Sequence, residues 1–142
     1  MIYFRIDGDP VAKGRPKFTR RGHAYTPKKT KDYEEAVRLA FMAQTSEQMP
    51  VYGKDTPLVV RATFAKSVPK SYTKKRREAC LSGKVLPTVK ADLDNYLKGV
   101  LDALNGLAWE DDSQIVMTVA EKIYAEEPYV TVTIGTVDEQ NL

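Results

Sequence analysis

The 142 residues, 42% hydrophobic and 29% charged, suffice for one domain with its own core. They contain no run near the ~20 apolar residues of a membrane helix. A single cysteine, Cys80, and a single histidine, His23, exclude an internal disulfide, thiolate zinc sites and metal centres built on several imidazoles. The net charge of +3 is mild but unevenly spread. No signal-peptide pattern opens the chain, and a cytoplasmic location is the default expectation.

"MIYFRIDG" alternates Ile2, Phe4 and Ile6 with more polar positions and predicts a strand. From Lys13 to Lys31 the chain holds eight Lys or Arg and no acid, with Gly14, Pro16, Gly22 and Pro27 opposing regular structure. Tyr33, Val37 and Ala40/Phe41 recur at helical spacing, so a helix is expected from about Lys28 to Gln48. "PLVVRATFAK" (57–66) reads as a second strand, and 71–82 as a short, exposed basic helix ending before Gly83. In "ADLDNYLKGVLDALNG", Leu93, Leu97, Val100/Leu101 and Leu104 share one apolar face, and Asn105–Gly106 stops the helix. The segment "QIVMTVAEKIYAEEPYVTVTIGTV" gives two alternating runs around "AEEP", the pattern of a hairpin. The expected fold is α+β: one compact domain over residues 1–142, a mixed sheet with a C-terminal β-hairpin, and about three helices.

Two features bear chemistry. The basic run, with Lys13, Arg15, Lys17, Arg20, Arg21, Lys28 and Lys29 interleaved with Phe18 and Tyr25, suits a phosphate backbone; a solvated loop is the alternative. The second basic run, "KSYTKKRR", repeats the pattern at 70–77.

The other feature is acidic. Asp92, Asp94 and Asn95 open the third helix, and Asp111–Asp112 follow it. One aspartate can cap a helix, and Asp94 with Lys98 can form an ordinary i,i+4 ion pair. Capping uses one side chain and leaves the others unexplained. If the "WEDD" turn comes back beside the helix, its carboxylates and those at the helix mouth converge. Such a cluster needs a cation between like charges. Mg²⁺ suits oxygen ligands and is commonly held by one or two carboxylates plus water. In a basic protein this chemistry fits phosphodiester cleavage, with Lys98 stabilising developing charge.

"DLDNYLKGVLDALNGLAWEDDSQI", followed by Lys122, resembles the core of the RusA family of Holliday-junction resolvases, whose pattern runs D-x-D-N-x-x-K and then "DDsqI". "GDPVAKGRPKF" and "YTPKKTKDYEE" are similar to that family's opening. The resemblance spans nearly the whole chain. It implies a Mg²⁺-dependent homodimeric endonuclease that nicks four-way DNA junctions symmetrically, in recombination and repair, and that is often carried by phages and prophages. Carried onto matching positions, it makes Asp92, Asp94 and Asp112 the metal-binding catalytic carboxylates and Lys98 the catalytic lysine. Asp111 becomes an adjacent acid of the metal site.

Trp109 is expected to anchor a core or an interface rather than to stack on a base. "KGRPK" is no phosphate-binding Walker loop, because the required spacing is absent. A non-catalytic DNA- or junction-binding protein, its acids serving as caps and turns, is the competing reading. A hydrolase of small phosphate compounds is opposed by the breadth of the basic runs.

Overall fold

The computed structural model describes residues 1–139. The alternation at the N-terminus becomes strand β1 (Ile2–Asp7), with Phe4 and Ile6 turned into the core. The basic loop is more ordered than its glycines and prolines suggested. Strands β2 (Lys17–Phe18) and β3 (Ala24–Tyr25) pair antiparallel across a tight turn. Gly22 supplies the left-handed φ of 80° there, and the Thr19 amide donates to the His23 carbonyl at 2.9 Å. Helix α1 (Lys28–Met42) stops short of the expected Gln48. The amides of Ala43 and Gln44 donate to Leu39 and Phe41, and the helix closes in that last turn.

Strand β4 (Leu58–Ser67) is followed by α2 (Lys74–Leu81), whose first turn is capped by the Thr73 hydroxyl accepting from the Arg76 amide. Then come α3 (Leu93–Leu104), a 3-10 turn (Asp112–Gln114), β5 (Ile115–Ala125) and β6 (Tyr129–Thr136). The architecture is the expected α+β domain, with three helices and a mixed sheet ordered β1-β6-β4-β5. The expected end of the domain, residue 142, lies outside the described residues.

The C-terminal hairpin is corrected in its pairing. β5 and β6 are joined by only three residues, yet β4 lies hydrogen-bonded between them, parallel to β5 and antiparallel to β6. Strands stand ~4.8 Å apart, so three residues at ~3.3 Å each can step over the end of β4. Burial explains the choice: Val130, Val132 and Ile134 of β6 are fully buried, whereas β5 buries only Tyr124. The more apolar strand takes the interior position beside β1. Parallel β4 and β5 require a long crossover, and α2 and α3 provide it.

Helices α1 and α3 cover one face of the sheet. Phe4 meets Phe41 edge-on at 5.9 Å, and Phe64 stacks on Tyr96 at 5.3 Å between ring centroids. Each such buried side chain contributes about 1.5–3 kcal/mol relative to exposure. Trp109 is fully buried in this core, so its role is that of an anchor. A satellite cluster of Val68, Cys80 and Tyr124 seats α2. No helix among the described residues is long and apolar enough to cross a membrane.

Candidate active site

Helix α3 starts at the end of the sheet where β4 and β5 finish, and two strand lysines fix its approach. The Lys66 ammonium donates to the Lys90 carbonyl at 2.8 Å and to the Tyr96 hydroxyl at 3.0 Å. Lys122 donates to the carbonyls of Val89 and Ala91 at 3.2 and 3.0 Å. The Ala91 amide in turn donates to the Tyr96 hydroxyl at 3.3 Å, so the segment before Asp92 is held on both sides. Sequence reasoning misses Lys66 and Tyr96. Lys66 gives no local cue, because β4 carries a second cation, Arg61, and each reads alone as an ordinary surface charge.

Asp92 occupies the N-cap position of α3, but its carboxylate caps nothing. Its backbone carbonyl accepts from the Asn95 and Tyr96 amides instead. Asp94, in the first turn, is likewise exposed, and neither carboxylate has a hydrogen bond or ion pair among the described residues. Both carboxylates lie in solvent at the positive end of the helix dipole, with their oxygens free for a ligand. As oxygen donors they would suit a hard cation that keeps most of its water.

The turn after α3 does not come back to this mouth. The Gly106 amide donates to the Trp109 carbonyl at 2.8 Å, and Trp109 bridges to Tyr52, so "WEDD" stays at the helix's far end. Twelve helical residues span about 18 Å. The expected convergence of carboxylates within one chain is therefore not found, and no group of three or more metal-ligating side chains gathers among the described residues. Asp112 accepts from the Trp109 indole N–H at 2.7 Å. Asp111 caps the 3-10 turn: it accepts from the Ser113 amide at 3.1 Å, and hydrogen bonds from Ser113 hold its carboxyl below the usual range. Gln114 bolts the turn down. It accepts from the Glu110 and Asp111 amides and donates to the carbonyls of Gly53 and Thr56.

Basic residues do reach the helix mouth. The Lys13 amide donates to the Asn95 carbonyl at 3.2 Å, laying "KGRP" along α3. A Cβ on Gly14 would come within 2.8 Å of the Thr30 hydroxyl and 3.1 Å of the Pro27 ring, so only glycine lets the loop pass this close to α1. Lys13 itself is neutralised between Asp102 and Glu34 and serves as a tie between loop and helices. Lys28 pairs with Asp32 at 3.1 Å. Lys98 leans toward Asp102 at 3.7 Å rather than toward Asp94. Arg15, Asn95 and Lys98 share a cavity of about 410 Å³ beside the mouth. Arg20 and Arg21 stand exposed at the ribbon's tip with no ion pair among the described residues.

The same pairing of basic loop and acidic helix mouth lies within a stretch shared with known proteins. Residues 7–135 match the family described as Endodeoxyribonuclease RusA. The chain is also similar to the uncharacterized protein YqaN of Bacillus subtilis (strain 168), at 40% identity over 139 residues that cover 96% of each chain. The two comparisons place this chain in the RusA endodeoxyribonuclease family.

Proposed function

We propose that the protein is a Mg²⁺-dependent, homodimeric endodeoxyribonuclease that resolves four-way DNA junctions by paired symmetrical nicks. The observation that carries this reading is the pair of unpartnered carboxylates, Asp92 and Asp94, at the mouth of α3 behind a lysine-braced segment and beside Arg15 and Lys98.

Asp92 and Asp94 hold the cation. When bound, it supplies charge for the attacking and leaving oxygens and a water of lowered pKa. Lys98 stabilises the charge that builds on the phosphorus-bound oxygens, and Arg15 orients the phosphate by its planar fork. Asp112 belongs to the metal site only if a second copy supplies it, because its own α3 mouth lies a helix-length away. Two-fold symmetry then gives both nicks and a complete site from the same interface. Asp111 acts on this site indirectly, by holding the turn that carries Asp112.

The test is a labelled four-way junction beside a matching linear duplex, in Mg²⁺ or EDTA. Paired nicks confined to the junction and lost with chelator are expected; binding without scission in Mg²⁺ would leave a binding protein. Replacing Arg15, Arg20 and Arg21 with Gln is expected to weaken junction binding. The slope of log affinity against log salt should become shallower by about 0.9 for each phosphate that is no longer neutralised. An unchanged slope would return the loop to a solvated surface.

A further inference from the structure

A second basic cavity, of about 530 Å³, is lined by the Lys90–Ala91 segment and shares Gly14 with the first. Lys17 of β2, Lys29 of α1, Lys66 of β4 and Lys90 all line it, and no acid does. None of these four ammonium groups pairs with a carboxylate among the described residues; Lys66 donates only to a carbonyl and a hydroxyl. Four like charges around one hollow repel each other unless an anion occupies it. The first turn of α1 adds to this field. It has no side-chain cap and no acid, and it carries Lys28 and Lys29 where a helix dipole favours negative charge. Asp32 answers Lys28 at 3.1 Å, so Lys29 is the first-turn cation left to meet an anion beside the free amides of the helix end.

We propose that this cavity binds a backbone phosphate of the cleaved DNA strand, next to the phosphate held at the α3 mouth. The proposal rests on the nuclease reading above. Its structural basis is that the Lys90–Ala91 segment is the wall shared by the cavity and the loop that leads into Asp92. Binding there sets the strand's path across the carboxylates. The reacting phosphate is thus fixed by its neighbour.

The test combines Lys29→Gln/Lys90→Gln with a junction in which single phosphates near the cut are replaced, one at a time, by neutral methylphosphonates. Both lysines are exposed, and circular dichroism checks the fold. Binding is measured in EDTA and nicking in Mg²⁺. For the wild-type protein, one neutral linkage adjacent to the cut should weaken binding by about tenfold. The double variant should bind the unmodified junction about tenfold more weakly and lose its sensitivity to that one linkage. A free anion cannot produce this pattern, since its binding is blind to the linkage. A variant that keeps full sensitivity to every neutral linkage, or a wild type with no sensitive linkage beside the cut, overturns the cavity proposal while nuclease activity stands. A wild-type protein that neither binds nor nicks the junction overturns the nuclease reading, and this proposal with it.

Discussion

Asp94→Asn is expected to lower junction nicking by about 10²–10³-fold, the scale of losing one main electrostatic contribution to a transition state. Junction binding in EDTA should be unchanged or tighter, since a negative charge near phosphate is removed. Asp112→Asn is expected to be equally inactive, although it sits at the opposite end of α3. Co-expressing the two inactive variants then separates the possible layouts. If Asp112 acts across a dimer, a mixed dimer joins one protomer's intact α3 mouth to the other's intact Asp112. About half the dimers formed by random pairing are mixed. Each would regain one site, giving single nicks from two dead proteins. A mixture as inactive as its components would show that each site draws its carboxylates from a single chain. Full activity of Asp112→Asn alone would remove that residue from the site. Quantifying single and paired nicks on one labelled junction distinguishes all three results.

Trp109→Ala should cost about 3–5 kcal/mol, the usual scale for deleting a fully buried aromatic side chain. Against a typical total stability of about 5–15 kcal/mol, this threatens the fold itself. Trp109→Phe keeps the apolar bulk but removes the indole donor to Asp112. It should cost less in a urea titration yet still free Asp112 to turn. A larger loss of nicking than of stability in Trp109→Phe would mark Trp109 as the residue that aims Asp112. Equal behaviour of the two variants would make it a packing residue alone.

The elements were legible because their signals are local. The α3 apolar face, the β1 alternation and the Gly106 stop follow from spacing and backbone preference within a few residues, and the described helices and strands fall there. The aspartates and the basic run were equally visible. Their juxtaposition was half legible: the basic loop does lie against α3, but the "WEDD" turn does not. A turn's position depends on what captures it. Here Gln114 reaches the carbonyls of Gly53 and Thr56, some sixty residues earlier, and no local pattern encodes that. The split hairpin has the same origin. Alternation specifies which face of a strand is buried, whereas its neighbours are chosen by competition among all the strands for the interior. The lysine brace from β4 and β5 was hidden because each lysine, taken alone, reads as an ordinary exposed cation.

The interior place of β6 has a consequence for the order in which the molecule can be made. β1 and β4 leave the ribosome well before β6, yet they do not pair with each other; both hydrogen-bond to β6. Until Tyr129–Thr136 emerges, the nascent chain has two apolar strands with open edges and no partner between them, a species prone to bind other chains. Vectorial synthesis therefore cannot build this sheet strand by strand from one side. The strand made last is the one that joins the other two, like a keystone between two walls.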